Sequence, residues 1–168
     1  MKKLSMALML AATAGMSLAA DLSKSDQQFF EKAAAGGMYE VEVGKLAESK
    51  AQDPDVKAFG AMLVKDHSAA NDELKALAQK KGVTLPAALP KHEQGELDKL
   101  AKARNFDKEF IHEVGLEDHK KDIKLFEKTS KNAKDPDVKA FAAKTLPTLR
   151  AHLGHAQSID KALKNKKS

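Results

Sequence analysis

Polar residues at a few inward positions are the part of this sequence that could do chemistry. Helical periodicity predicts that Glu40, His67, Asp118 or His119, and His152 face the inside of a helical bundle. Imidazole and carboxylate groups bind zinc, iron, copper and nickel in proteins. The same groups also form buried hydrogen-bonded clusters that fix helix register. The sequence thus allows two hypotheses: a site for one divalent transition metal, with these residues as ligands, or a polar core without metal.

The predicted orientation of each residue follows from its apolar neighbours on a helical wheel. His67 lies close to a stripe that includes Phe59, Leu63 and Leu74, and His152 lies inside a similar stripe in the last helix. Glu40 shares its face with small and apolar residues, whereas Glu42 is predicted to face solvent. In the third helix the apolar residues wrap widely, so either Asp118 or His119 can face the core.

Distances along the helices place these residues at one depth. Glu40 and His67 lie about 18 and 21 Å from the first hairpin turn, at 1.5 Å per helical residue. Asp118 and His152 lie about 24 and 27 Å from the second turn. One inward polar group per helix at mid-bundle is costly unless the groups have partners. We therefore expect the side chains to converge, with Asp66 and Asp118 orienting the neighbouring imidazoles in the polar-core hypothesis.

The elements that position these residues are all helical, since no segment alternates with the period of a strand. Two Asp-Pro pairs, at 53–54 and 135–136, are typical helix starts, and Gly82 is a typical helix end. Pro147 is predicted to bend the last helix without ending it, because the apolar stripe continues across it. The predicted helices span residues 25–51, 54–81, 92–103, 105–132 and 136–163.

A repeated segment indicates how the helices are arranged. The seven residues DPDVKAF at 53–59 recur without change at 135–141, which favours duplication of a helical hairpin. The connector 83–105 contains enough chain to run the length of a bundle. We therefore predict an all-α, ferritin-like four-helix bundle, with a long connector carrying a short extra helix between helices 2 and 3.

The first 19 residues have the features of a secretory signal peptide. Lys2 and Lys3 precede the apolar run 4–16, and Ala19 ends a small-residue cleavage motif. Cleavage leaves a bundle domain, residues 20–168, in the periplasm or the medium. Its net charge falls from +5 because the two lysines are removed, which argues against nucleic acid as a partner and leaves only weak contact with anionic envelope components. No other segment is apolar enough to span a bilayer.

The sequence resembles a family of exported bacterial proteins of unknown function, whose members are often labelled membrane or outer-membrane proteins. The resemblance rests on residues 36–47, on 56–59 with Asp66-His67, on Asp118-His119, and on 146–152. It covers nearly the whole mature chain. It implies a ferritin-like bundle and a location in the cell envelope, and it implies no established activity.

The sequence departs from the di-iron proteins that share this fold. Those proteins carry Glu-x-x-His on two helices, whereas Val64 and Leu149 stand three residues before His67 and His152. The single Glu-x-x-His, Glu109 to His112, is predicted to face solvent. There is also no phosphate-binding loop or nucleophile elbow.

These departures favour the polar core over the metal site. We therefore expect a non-enzymatic, exported binding or envelope-stress protein. The alternative is a metal-binding ferritin-like protein with a redox or storage role.

Overall fold

The computed structural model describes residues 22–166, and this part of the chain consists of helices and short connections. The predicted signal peptide lies outside the described residues. The helices are α1 (Lys24–Lys50), α2 (Pro54–Lys81), α3 (Lys91–Ala101), α4 (Phe106–Phe110), π1 (Ile111–Asp118), α5 (His119–Asn132) and α6 (Pro136–Asn165). Segments α4, π1 and α5 follow one another without a break and form the third long helix of the bundle. The all-α fold predicted from the sequence is confirmed.

Local chemistry explains where the helices begin and end. Asp53 and Asp135 cap α2 and α6 by accepting hydrogen bonds from the backbone N–H groups of the first turn. Gly82 ends α2 with φ of 69°, which glycine adopts at low cost. The cap of α1 is Ser23, whose side chain accepts from the Asp26 N–H. Helix α1 begins at Lys24, so the predicted start at Ser25 was one residue late.

The connector between the hairpins crosses the length of the bundle. Lys81, at the end of α2, pairs with Asp135 at 2.6 Å, while Asp53, at the start of α2, pairs with Lys166 at 2.6 Å. These pairs mark opposite ends of the bundle. Asp107, in α4, accepts a hydrogen bond from the Asp53 N–H at 2.8 Å, so the chain returns to the end where α2 began. This crossover makes α2 parallel to the third long helix, as in ferritin-like bundles.

The two hairpins are joined at both ends by equivalent carboxylates. Asp26, in α1, accepts from the N–H groups of Lys134 and Asp135 at 3.1 and 3.0 Å. Asp107 accepts in the same way from Gln52 and Asp53. In each case a carboxylate from the first helix of one hairpin accepts hydrogen bonds from the turn of the other hairpin. This correspondence supports the predicted duplication.

Within residues 22–166, the π-helix π1 is the element that helical periodicity did not predict. Residues 105–132 were predicted as a regular α-helix, which is wrong over Ile111–Asp118. A π turn holds about one residue more than an α turn. The spacing of the repeat shows the extra residue. Before the π-helix, Asp107 follows its counterpart Asp26 by 81 positions. After the π-helix, Asp135 follows its counterpart Asp53 by 82 positions. The extra residue shifts the helix face that reaches the core.

The core consists of two apolar clusters, one toward each end of the bundle. Phe29, Phe126 and Phe141 belong to the first cluster, and Val43, Phe59 and Phe110 to the second. The buried polar residues Glu40, His67, His119 and His152 belong to neither cluster.

Pro147 lies inside a continuous α6, which confirms that it does not end the helix. Within residues 22–166 no helix has the length and apolarity to cross a membrane.

Candidate metal centre

Three histidines from three helices meet in the core. His67 comes from α2, His119 from α5 and His152 from α6, and their exposed fractions are 7%, 0% and 1%. Each offers one ring nitrogen, and these three atoms all lie within 4.8 Å of one another. Only convergence of the helices brings them together, since the residues are far apart in sequence.

Small residues permit this close approach. A Cβ atom on Gly115 would lie 2.8 Å from the Cβ of Ala156. These two residues lie one turn from His119 and His152 on their respective helices, so π1 and α6 touch next to the site. Phe59 packs against both imidazoles, with ring centroids 6.2 and 6.3 Å away. The surroundings on this side are therefore apolar.

A backbone carbonyl determines which nitrogen of His119 carries the proton. The Nδ1 atom of His119 lies 2.9 Å from the carbonyl oxygen of Val114. A carbonyl only accepts hydrogen bonds, so Nδ1 must be the donor. The backbone N–H of His119 bonds instead to Leu116. In the neutral ring, Nε2 of His119 is consequently left with a free lone pair.

Asp66 has the same effect on His152. The Nε2 atom of His152 lies 3.0 Å from Oδ2 of Asp66, and its Nδ1 atom lies 3.2 Å from Nε2 of His119. An ionised carboxylate only accepts, so Nε2 of His152 donates. The lone pairs of His152 Nδ1 and His119 Nε2 then face each other, an arrangement that is repulsive unless a cation lies between them.

The third nitrogen is also free to bind. Nε2 of His67 is buried and has no hydrogen-bond partner. Burial and the neighbouring imidazoles lower the pKa of His67 well below its usual value, and burial lowers the pKa of His119 to about 4. Burial also lowers the pKa of His152, although Asp66 opposes the shift. All three rings are therefore neutral near pH 7, which is the form that binds metals.

Glu40 lies beside this cluster and not within it. Its Oε1 atom is 3.7 Å from Nδ1 of His119, on the side of the ring that faces away from His152. The side chain is 1% exposed, and neither oxygen has a hydrogen-bond partner. Burial, followed by the charges of Asp122 and Asp118, raises the pKa of Glu40 well above its usual value.

The structure resolves the choice between Asp118 and His119. His119 faces the core, whereas the Asp118 side chain is 27% exposed and pairs with Lys121 at 2.9 Å. Asp118 does not join the three-histidine cluster. The helical wheel was ambiguous here because it assumed 100° per residue through the π-helix. Glu42 faces solvent as predicted and pairs with Lys45 at 2.7 Å.

Two groups important to the site were not among the sequence candidates. The Val114 carbonyl gave no signal, because hydrogen bonding by a backbone carbonyl is independent of residue type. Asp122 lies against Gly36, with its Oδ1 3.7 Å from the position a Cβ would take. Burial raises the pKa of Asp122 to about 7. The repeat could have indicated Asp122 as a candidate. Asp122 follows Glu40 by 82 positions, which is the spacing of the repeated segment DPDVKAF, so the two residues are counterparts in the two hairpins.

Solved structures with the same fold include copper- and silver-bound proteins. "CopM in the Cu(I)-bound form" is 20% identical, with a TM-score of 0.70, and the match covers 87% of this chain and 100% of that one. "CopM in the Ag-bound form" is 22% identical, with a TM-score of 0.65, and covers 79% and 92%. A DUF305 fragment from Deinococcus radiodurans is 12% identical, with a TM-score of 0.72, and covers 85% and 99%. At these identities the likeness shows the fold alone.

Sequence comparison identifies the family. No curated protein matches the chain. A family model described as "Domain of unknown function (DUF4142)" matches residues 11–159, which is most of the sequence and nearly all of the bundle. The chain therefore belongs to the DUF4142 family.

Proposed function

We propose that this protein is an exported, non-enzymatic metal-binding protein that holds one copper ion, in its monovalent state, through His67, His119 and His152. The observation that carries the proposal is the convergence of three neutral imidazole nitrogens in a buried layer. Each of the two rings with assigned tautomers donates its other N–H to a carbonyl or carboxylate oxygen. That pattern is typical of metal-binding histidines, whose outer partners orient the ring and fix its tautomer.

The spacing of the nitrogens also suits a metal. Nitrogen ligands lie about 2.0–2.1 Å from a metal such as zinc, which puts neighbouring ligands roughly 3.4 Å apart. The pair from His119 and His152 is 3.2 Å apart. This pair is therefore already spaced as two ligands of one ion, and the ligand nitrogen of His67 lies within 4.8 Å of both.

A polar core without metal explains the arrangement less well. Such a core is stable when every buried polar atom has a partner. Here Nε2 of His67 has none, and the tautomers of His119 and His152 leave two lone pairs opposed. A bound cation accepts both opposed lone pairs, and that of His67 Nε2 as well when this ring carries its proton on Nδ1. The structure thus supports the metal hypothesis over the polar core that the sequence favoured.

The charge of the site favours a monovalent ion over the divalent ion considered from the sequence. All three ligands are neutral, and bringing uncompensated charge into a protein core is costly. Asp66 lies 3.0 Å from His152 and supplies one nearby negative charge. Copper binds well to imidazole, and the similar CopM structures hold Cu(I), Cu(II) or Ag. Neither Glu40 nor Asp118 is assigned as a ligand.

Metal titration tests the proposal. Purified protein is titrated anaerobically with Cu(I) in the presence of a competing chelator. We expect one ion per chain and a loss of at least about 100-fold in affinity for His67→Ala or His152→Ala. His112→Ala and His155→Ala are matched controls, since both side chains are exposed; their affinities should stay within about 2-fold of the original.

The same samples decide between the two hypotheses. Binding only to the folded state should raise the melting temperature with Cu(I) concentration. Equal affinities for the His67 and His112 variants, or no binding at all, would contradict the copper site and leave the polar core.

Export is a separate part of the proposal and rests on residues 1–19. Expressed with these residues in a Gram-negative bacterium, the protein should be recovered from the periplasm or medium with Ala20 or Asp21 at its N-terminus. Intact Met1 on protein that remains in washed membranes would contradict export without affecting the copper site.

A further inference from the structure

An acidic cleft opens beside the three-histidine cluster. It has a volume of about 1040 Å³ and lies between α1, α5, π1 and the connector with α3. Among the described residues its lining includes two lysines and a larger number of carboxylates, among them Glu40, Glu93, Glu96, Glu113, Asp118 and Asp122. Lys121 neutralises Asp118 through an ion pair. The carboxylates of Glu93, Glu96 and Glu113 still outnumber the remaining lysine and focus an attractive field for cations in a concave space.

Glu40 marks the inner end of this cleft. It is 1% exposed, yet it lines the cavity, and both of its oxygens lack a hydrogen-bond partner. A buried carboxyl group without a partner is costly, and a ligand bound in the cleft would offset that cost. Glu40 is also the contact between the cleft and the cluster, since it lies 3.7 Å from Nδ1 of His119.

Asp122 extends the same surface toward solvent. It is partly buried on α5 and lies against Gly36, whose missing side chain leaves open space next to the carboxylate. Gly36 lies one helical turn before Glu40, so the carboxylates of Asp122 and Glu40 follow each other along one wall. The carboxyl groups of Asp122 and Glu40 therefore continue from the mouth of the cleft to the His119 ring.

We propose that this cleft is a transient cation-binding site and the route by which the metal ion reaches the three histidines, with Asp122 and Glu40 as its successive carboxylate contacts. The inference rests on the proposed function, because it presumes that the histidines bind a metal. A route lowers the barrier to entry and exit alike. Its loss should therefore slow association and dissociation together and leave the equilibrium affinity nearly unchanged.

Tyr39 provides a fluorescent probe of metal binding in the cleft. It is the single tyrosine of a chain without tryptophan, and it lines the cleft. Stopped-flow tyrosine fluorescence follows Ag⁺ binding in a chloride-free buffer, where the ion is stable in air. We compare the unaltered protein with Glu40→Gln, Asp122→Asn and the control Glu42→Gln, which alters the exposed face of the same helix.

We expect Glu40→Gln and Asp122→Asn to reduce the association and dissociation rates by about 10-fold each, with Ag⁺ affinity changed by less than about 3-fold. Glu42→Gln should bind at the original rate. Added salt should slow Ag⁺ binding by the unaltered protein, because it screens the attraction between the ion and the acidic lining. Circular dichroism melts establish that each variant is folded.

Three results would overturn the route. Unchanged rates in both folded cleft variants would exclude it. A weakened affinity caused by faster dissociation alone would make Glu40 a ligand instead. Two ions retained per chain, with the second lost in Glu40→Gln, would make the cleft a storage site. Failure of the unaltered protein to bind any Ag⁺ at equilibrium would instead overturn the proposed function, which keeps the two failures distinct.

Discussion

At the scale of single residues, the site depends on which nitrogen of each imidazole carries its proton. Val114 and Asp66 accept hydrogen bonds from His119 and His152, and so leave two lone pairs facing inward. Neither acceptor touches the proposed ion. Two groups that do not contact the ion therefore fix the tautomers of its proposed ligands, as in other metal centres.

Removal of the Asp66 carboxylate should test this arrangement. In Asp66→Ala, His152 can move its proton to Nδ1 and donate to His119, which satisfies both rings and removes one lone pair. We expect Cu(I) affinity to fall about 10- to 100-fold, as measured by chelator competition. Glu73→Ala removes an exposed carboxylate from the same helix and should have no effect. Equal affinities for the two variants would contradict the role of Asp66.

Asp122 should make the stability of the protein depend on pH. Burial raises its pKa from 3.8 to about 7 in the folded state, so the folded chain binds more protons than the unfolded chain between these values. Stability is therefore lost as the pH rises through this window. Asp122→Asn should be more stable than the unaltered protein at pH 8, by about 1 to 4 kcal/mol, and the advantage should vanish near pH 4.

Urea unfolding at several pH values measures this difference. Asp72→Asn, at an exposed position of α2, is the control and should change stability by no more than about 0.5 kcal/mol. A constant difference between Asp122→Asn and the unaltered protein from pH 4 to 8 would show that the carboxyl group is not perturbed.

At the scale of elements, the contact between π1 and α6 controls the distance between His119 and His152. A Cβ on Gly115 would lie 2.8 Å from Ala156, whereas a Cβ on Gly154 would have no atom within 4 Å. Two glycines in neighbouring helices thus predict opposite effects of substitution.

Gly115→Val should force π1 and α6 apart. We expect a loss of about 1 to 3 kcal/mol in the free energy of unfolding and weaker Cu(I) binding, because the two nitrogens separate. Gly154→Ala should raise the free energy of unfolding by about 0.5 to 1 kcal/mol, since glycine disfavours a helix interior, and should leave metal binding unchanged. Thermal melts and chelator competition measure both effects. Unaltered binding by Gly115→Val would contradict the link between helix contact and site.

At the scale of the whole molecule, Asp26 and Asp107 join the two hairpins at opposite ends. Asp26 is 1% exposed and accepts from two backbone N–H groups. Its replacement leaves those two part-buried donors without a side-chain acceptor. Asp107 is only partly buried, so water can replace it more easily.

Asp26→Ala should therefore cost about 2 to 3 kcal/mol, and Asp107→Ala about 1 to 2 kcal/mol. The two sites lie about 40 Å apart along α1, so the double variant should lose the sum of the two effects. Urea unfolding of the single and double variants measures the costs. A larger cost for Asp107→Ala than for Asp26→Ala would show that burial does not govern these contacts.

The helices could be predicted because their determinants are local. The Asp-Pro starts at 53–54 and 135–136, the end at Gly82 and the continuity of α6 across Pro147 were all evident from the sequence. Capping and helical periodicity act over a few residues. The repeat DPDVKAF added the pairing of hairpins, and the depth count placed Glu40, His67 and His152 near one level.

Only the tertiary structure decided how these side chains meet. The π-helix changed the phase of the third long helix, which put His119 in the core and Asp118 at its edge. Depth along a helix also says nothing about lateral position, so the place of Glu40 beyond His119 could not be predicted. The tautomers depend on a backbone carbonyl and on Asp66, both brought to the rings by packing. The sequence by itself therefore determined where most helices begin and end and that Glu40, His67 and His152 enter the core, because both follow from neighbours along the chain. The packing of helices determined which lone pairs converge, because that depends on atoms far apart in sequence.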